Sequence, residues 1–135
     1  MSRENVELLR QGYEALNRAF ASGEDVLPII REGTDPDLVV EMGVLEGTFH
    51  GPEGFKDFIE GQLAIIEDLR SDPEEFIEAG DRVVVPFRLS GRARSTGIPI
   101  EYHYVHLWTL RGGRAVHLRL HTSKAKALEA VGLSE

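Results

Sequence analysis

Two segments of alternating side chains, joined by a pair of glycines, dominate the last third of this chain. Residues 99–111 and 114–122 each predict a β-strand, and Gly112 and Gly113 between them predict a tight hairpin. Because strand side chains alternate with a period of two, every second residue shares one face of the sheet. A mostly apolar face with one titratable ring is typical of a concave pocket for a small organic molecule. That face carries Ile100, Tyr102, Tyr104, His106, Trp108 and Leu110.

The register of this hairpin decides which side of the second strand faces the aromatic rings. A two-residue glycine turn would place His117 opposite Trp108, because a slip of one residue exchanges the two faces. A three-residue loop that begins at Arg111 would place Val116 opposite Trp108. We favour the three-residue loop, since Gly113 supplies the positive φ that its third position needs. In this register the residues that face the aromatic rings are Val116, Leu118 and Leu120, and those on the other face are His117, Arg119 and His121.

Composition narrows the functional classes. The chain has 135 residues, which predicts a single domain spanning residues 1–135. Its net charge of −8 repels nucleic acid and anionic membranes on average. The absence of cysteine excludes disulfides, thiolate catalysis and cysteine-ligated zinc. Since the first residues hold no apolar leader and no long apolar run follows, the sequence predicts a soluble cytoplasmic protein.

Hydrophobic periodicity predicts mainly helices in the first half of the chain and strands in the second. Val6, Leu9, Tyr13, Leu16 and Phe20 are spaced three and four apart, as on one stripe of a helix. Helices followed by a run of antiparallel strands predict an α+β fold. The predicted helices are residues 3–21, 24–32, 52–70 and 123–131, and the predicted strands are 37–42, 75–78, 82–90, 99–111 and 114–122.

Five short motifs follow one another along nearly the whole chain. They are the long first helix with Tyr13, residues 35–41 at the first strand, His50-Gly51-Pro52 before the third helix, residues 79–85 at a turn and strand, and residues 107–116 at the last hairpin. In this order and spacing they resemble the SnoaL-like members of the NTF2-like (ketosteroid isomerase-like) superfamily. The resemblance implies a cone-shaped α+β barrel. In it a curved antiparallel sheet wraps around the N-terminal helices and leaves a cavity open at one end.

The resemblance leaves the activity open. The superfamily contains isomerases, dehydratases, cyclases, epoxide hydrolases and non-catalytic binding proteins, so the fold does not settle the function. Relatives usually form homodimers through the outer face of the sheet, and the same assembly is expected here. That face would carry His103, Val105, Leu107, Thr109, His117, Arg119 and His121.

Three side chains are candidates for catalysis. The resemblance places Tyr13 where isomerase-like members hold a tyrosine that donates to a developing oxyanion; alternatively, it is a core tyrosine. His106 lies near a second oxyanion donor of those enzymes, and an imidazole there could donate a hydrogen bond, accept a proton, or serve only the core. Glu41 lies near their general base. If Met42 faces the cavity instead, Glu41 is a solvated surface charge.

We therefore expect a small-molecule-binding protein with a hydrophobic cavity. If the protein is an enzyme, the expected activity is acid/base catalysis of isomerase, cyclase or hydrolase type on a small apolar carbonyl or epoxide compound. In that reaction His106 or Glu41 moves a proton, Tyr13 steadies the oxygen, and no cofactor is required. The alternative is a non-catalytic ligand-binding or accessory dimer module. No metal site is predicted, because His117 and His121 lack an acidic partner at suitable spacing. The predicted pocket wall consists of Phe55, Phe58, Ile59, Val85, Phe87, Leu89, Tyr102, Tyr104, Trp108, Leu118 and Leu120.

Overall fold

A computed structural model describes residues 2–43 and 46–133, and within these ranges the predicted α+β class is confirmed. None of the helices in these ranges combines the length and apolarity that crossing a membrane requires. In chain order the elements are α1 (Ser2–Ser22), α2 (Leu27–Gly33), β1 (Thr34–Glu41), β2 (Thr48–His50), α3 (Gly51–Ile65), β3 (Ile66–Pro73), β4 (Ile77–Ala79), β5 (Arg82–Ala93), β6 (Pro99–Arg111), β7 (Arg114–His121) and α4 (Lys124–Ala130).

The strands form one seven-stranded sheet in the order β2-β1-β7-β6-β5-β3, and β4 pairs with the start of β5. The neighbours are antiparallel except for β1 and β7, which run parallel. The described sheet is consistent with the predicted cone of curved strands, but it is mixed rather than purely antiparallel and does not close between β2 and β3. Alternation identifies the two faces of a strand but not its neighbours, so the sequence could not show the parallel pair.

The core lies between one face of this sheet and the helices α1 and α3. Leu38, Leu110 and Leu118 are at most 1% exposed, and they pack in one cluster with Leu9 of α1 and Phe55 of α3. Burying an apolar side chain of this size contributes about 1.5–3 kcal/mol relative to leaving it in water. The helices are thus held mainly by the apolar stripes that they bury against the sheet.

The third helix is shorter than its sequence pattern predicts. It ends at Ile65, and the chain continues directly as β3. Ile66 and Leu69 keep helical spacing and are both 5% exposed, so their apolar pattern is compatible with either structure. Asp68 between them has a φ of 57° and lies at a bulge in β3, which local alternation does not reveal. β2 has only three residues, too few for alternation to predict.

A side-chain amide joins α1 to the edge strand β3. The Nδ2 group of Asn17 donates to the carbonyl oxygen of Ser71 at 2.9 Å, and its Oδ1 accepts from the amide of Ser71 at 2.9 Å. Asn17 is only 6% exposed, so both of its polar atoms need these partners. The pair replaces the backbone hydrogen bonds that another strand would make at this point and fixes α1 along the sheet.

The last hairpin differs from its predicted register. Arg111 pairs with Arg114 around a two-residue turn, in which Gly112 and Gly113 have φ values of 60° and 77°. Both values are positive, as a type I′ turn requires. A bulge follows, because the register shifts by one residue between Thr109 and Leu110.

Beyond the bulge the predicted faces are preserved even though the predicted pairs are wrong, whereas before it Ala115, and not the predicted Val116, lies in the core cluster opposite Leu110. Trp108 lies opposite Leu118 rather than Val116, and His106 lies opposite Leu120. Leu118 and Leu120 therefore face the interior as expected. Turn length alone does not fix a register when a bulge can add one residue to a strand.

The C-terminal helix α4 covers part of the outer face of the sheet. The side-chain oxygen of Ser123 accepts from the amide of Lys126 and so caps the helix. Ala127 and Leu128 then pack in a second cluster, whose sheet members are Val84, Val105 and Leu107. Val105 and Leu107, predicted to belong to a dimer face, are instead buried within the chain.

We predict that Gly91→Ala destabilises the fold. A Cβ at residue 91 would lie 2.5 Å from Cγ2 of Ile66 and 2.8 Å from the carbonyl oxygen of Glu67, where β3 bends over β5. Overpacking of this kind costs about 1–3 kcal/mol in the free energy of unfolding. Gly61→Ala in α3 is the control, because nothing lies within 4 Å of its added Cβ and alanine is the better helix former. Equal urea midpoints for Gly91→Ala and the wild type would contradict this account.

Candidate ligand-binding site

A cavity of about 620 Å³ opens between the concave face of the sheet and the helices. Its wall is mostly apolar, and α1, α3, β5 and β6 supply much of it. Of the predicted wall residues, the structure places Phe55, Phe58, Ile59, Phe87, Leu89, Tyr102, Tyr104, Trp108 and Leu120 on the cavity.

Two residues of the predicted wall do not reach the cavity. Val85 and Leu118 point to the interior, as alternation requires, but each is fully buried in the core cluster. The cavity therefore occupies only part of the concave face, and packed side chains fill the rest. Which part stays open depends on how the helices cross the sheet, and alternation along one strand carries no information about that crossing.

Tyr13 joins two residues of β6 at the cavity wall. Its phenolic oxygen accepts a hydrogen bond from Nε1–H of Trp108 at 2.9 Å and lies 2.7 Å from Nδ1 of His106. Phe87 stacks on the His106 ring, with centroids 3.9 Å apart and planes 20° from parallel. Tyr13 and His106 were predicted as site residues separately, and the structure brings them together. Trp108, predicted only as a wall residue, completes the group.

Burial keeps both titratable members of this group uncharged. The pKa of Tyr13 is raised because burial disfavours the phenolate, and the hydrogen bond from Trp108 opposes this only in part. Burial lowers the pKa of His106 to about 3, because the imidazolium would lose its hydration. At neutral pH the site thus consists of a neutral phenol, a neutral imidazole and an indole.

Glu41 lies on the opposite side of the sheet from the cavity. Its carboxylate contacts the imidazole of His117, and both side chains are about one-third exposed, at 38% and 32%. Its neighbours Val40 and Met42 face the interior with exposures of 0% and 4%. The placement of Glu41 as the base in the cavity is therefore wrong, because β1 alternates in the sense that turns Met42 inward.

The sequence analysis did not predict several polar residues that line the cavity. Asn17, Gln62 and Thr122 line it, as does Glu46, which is exposed. Burial raises the pKa of Tyr104, and the nearby Tyr102 and Glu46 add to that effect. Gln62 interrupts the apolar stripe of α3, and this interruption was the one available signal.

Within residues 2–43 and 46–133, no three His, Asp or Glu side chains are grouped as a metal ion would require. The carboxylate of Glu46 is the sole acidic group that these residues contribute to the cavity wall. No lysine or arginine of the described ranges lies on that wall. The arrangement can therefore donate and accept hydrogen bonds in an apolar, almost uncharged space.

Comparison with known proteins is consistent with this geometry. The model of the SnoaL-like domain matches residues 9–118. The chain belongs to the SnoaL-like family, within the NTF2-like superfamily. No curated protein matches the chain.

Solved structures extend the similarity over almost the whole chain. An NTF2-like protein of unknown function from Burkholderia pseudomallei is 29% identical, covers 97% of this chain and 98% of its own, and has a TM-score of 0.76. TerC, crystallised with polyporic acid, is 27% identical with coverage of 96% and 98% and a TM-score of 0.73. A proposed SnoaL-like polyketide cyclase from a Jannaschia species is 20% identical, with coverage of 100% and 96% and a TM-score of 0.77, and shows the shared fold.

We predict that the His106 imidazole weakens the fold as the pH falls. Its pKa is about 3 in the folded chain, against an ordinary value of 6.5. Below pH 6.5 the imidazole is therefore protonated in the unfolded chain but stays neutral in the folded chain. Stability attributable to this group is complete above 6.5 and decreases as the pH falls toward 3. His106→Gln, which has no titrating ring, should give a shallower loss of unfolding free energy in urea titrations over this range. Parallel curves for the two proteins would show that the ring is not buried as described.

Proposed function

We propose that the cavity binds a small, mostly apolar molecule and directs one of its oxygen atoms to His106. The observation that carries this proposal is an apolar space of about 620 Å³ with one cluster of hydrogen-bonding rings on its wall. Ligand sites generally combine such walls with a few well-placed polar groups. The similarity to TerC, crystallised with polyporic acid, supports an organic ligand.

The reaction that suits this site acts on a carbonyl or an epoxide. Negative charge develops on the oxygen of either group when an adjacent C–H or C–O bond breaks, and a neutral imidazole can stabilise that charge by donating a hydrogen bond. His106 is such an imidazole, since burial lowers its pKa to about 3. Isomerase, cyclase and hydrolase chemistry all contain a step of this kind.

A non-catalytic ligand-binding module is the second candidate. It is favoured by the outward placement of Glu41, which leaves no carboxylate on the deep wall within the described ranges. A proton acceptor would then have to be Glu46 near the opening, a water molecule, or the ligand itself. Turnover of a bound carbonyl or epoxide compound, and its loss in His106→Phe with binding retained, would decide for the enzyme.

A glycine on α1 contributes to the space in the cavity, because it has no side chain. Gly12 lies in the middle of the helix and on the cavity wall, and a Cβ added there would meet nothing within 4 Å. Glycine at a helix interior costs about 1 kcal/mol relative to alanine. This cost is offset if the open space accommodates a ligand.

We predict that Gly12→Leu fills the cavity and weakens the binding of a neutral apolar probe. N-phenylnaphthylamine, whose fluorescence rises in apolar surroundings, is the probe. Loss of several buried CH₂ contacts predicts an affinity at least tenfold lower, at about 0.8 kcal/mol per buried CH₂. Gly61→Leu is the matched control, because Gly61 is also helical and nothing lies within 4 Å of a Cβ added there. Unlike Gly12, it is exposed to solvent and does not line the cavity. If the two variants bind the probe alike, the ligand does not occupy this cavity.

We also propose that two copies of the chain associate through the outer face of the sheet, as the resemblance implies. Because α4 buries Val105 and Leu107, the residues of the predicted outer face that remain exposed are His103 and Arg119. Arg119→Glu should then shift a dimer toward monomer in sedimentation velocity, whereas Arg18→Glu on the exposed side of α1 should not. A wild-type chain that sediments as a monomer at all concentrations would contradict this assembly.

A further inference from the structure

We propose that Tyr13 is a positioning residue that fixes the proton of His106 on Nε2, so that the cavity selects a neutral ligand whose oxygen accepts a hydrogen bond. This inference rests on the proposed function for the identity of the site. It goes further by assigning the direction of each hydrogen bond and the chemical class of the ligand.

The direction follows from counting protons in the three-residue group. The indole Nε1–H of Trp108 can only donate, so the oxygen of Tyr13 accepts at 2.9 Å. The hydroxyl then has one proton to place, and within the described ranges its other partner is Nδ1 of His106, 2.7 Å away. Tyr13 is 6% exposed, and a buried hydroxyl proton without an acceptor is unfavourable. Nδ1 is therefore the acceptor, and the ring proton lies on Nε2.

The opposite tautomer of His106 would leave the hydroxyl proton of Tyr13 without an acceptor. If Nδ1 carried the proton, the oxygen of Tyr13 would accept from both neighbours and its own proton would point at apolar walls. The Tyr13 ring meets Phe76 edge-on at 6.3 Å and Trp108 edge-on at 6.3 Å, and neither ring offers a conventional acceptor. The chain of donors thus runs one way, from Trp108 through Tyr13 to His106.

This assignment leaves Nε2–H of His106 as the free donor of the site. Nδ1 is occupied, the ring lines the cavity, and no residue of the described ranges bonds to Nε2. Tyr13 donates its hydroxyl proton to His106 and therefore does not donate to a ligand. This differs from the oxyanion role that the resemblance implies for Tyr13. A ligand meets a single imidazole N–H and must bring the acceptor.

The charge of the wall disfavours anionic ligands. No lysine or arginine of the described ranges lines the cavity, and the carboxylate of Glu46 would repel a second negative charge. Burial also keeps His106 from supplying a positive charge, because its pKa is lowered. A ketone, ester, ether or epoxide oxygen meets these conditions, whereas a carboxylate does not.

The tautomer is measured directly by ¹⁵N NMR of the ligand-free protein. We expect a pyrrole-type shift for Nε2 and a pyridine-type shift for Nδ1 of His106 at neutral pH. Tyr13→Phe should convert this pattern to a mixture of tautomers. Tyr104→Phe removes a cavity hydroxyl that is not hydrogen-bonded to His106 and should leave the pattern unchanged. A pyrrole-type Nδ1 in the wild type would overturn the proposal, and this readout does not depend on the folding of any variant.

Three bicyclic probes of similar shape test the ligand class by calorimetry. Tetralone, with a carbonyl acceptor, should bind about tenfold more tightly than tetralin, which has none, and naphthoate, an anion, should bind least. His106→Phe should abolish the preference for tetralone while tetralin still binds. Equal affinities for tetralone and tetralin, or tightest binding of naphthoate, would overturn the proposal but leave an apolar site. Failure of all three to bind would overturn the proposed function and with it the ligand class.

Discussion

The buried hydroxyl of Tyr13 is the polar group around which the interior is arranged. It comes from α1, and both of its hydrogen-bond partners come from β6, so it joins the first element of the chain to one near the end. A phenol can be buried at this depth only if its oxygen and its proton are both satisfied. The helix must therefore cross the sheet at the one position where Trp108 and His106 are both within reach.

The cavity exists because the sheet curves away from the helices. Bulges interrupt the ladder in β3 and between β6 and β7, and a bulge bends and twists the strand that contains it. Gly91 permits β3 to approach β5 more closely than any side chain would allow. Asn17 holds α1 on the edge strand beside this curve. The result is a sheet whose concave face is only partly filled by core side chains.

The chemistry of the site follows from its lack of charge. His106 stands near the second oxyanion donor that the resemblance implies, and Glu41, which stands near the implied base, points away. Burial holds the pKa of His106 low and that of Tyr13 high, so a proton transfer between them would create two unfavourable charges. The group is thus suited to hold a neutral molecule by its oxygen and to stabilise charge that develops there.

The features of the fold and the site that could be predicted from the sequence are those determined by residues close together along the chain. The period of two predicted the inward side of β6 and hence Tyr104, His106 and Trp108 on one face, and the helical spacing predicted the inward side of α1 with Tyr13. It predicted the faces of Leu118 and Leu120 as well, although the pairs were wrong, because the bulge restored the face that the turn had shifted. The motifs also predicted the family correctly, since their order along the chain is a property of the sequence itself.

The sequence by itself determined which side chains share a face, because that follows from backbone geometry over a few residues. Only the tertiary structure decided that β1 runs parallel to β7 and that Met42 rather than Glu41 faces inward. It also decided that Val85 and Leu118 are buried by core side chains and do not line the cavity. It alone decided that the Tyr13 hydroxyl meets His106. These outcomes depend on contacts between segments up to 95 residues apart, whose free energies are settled by the packing of the whole chain and not by any local pattern.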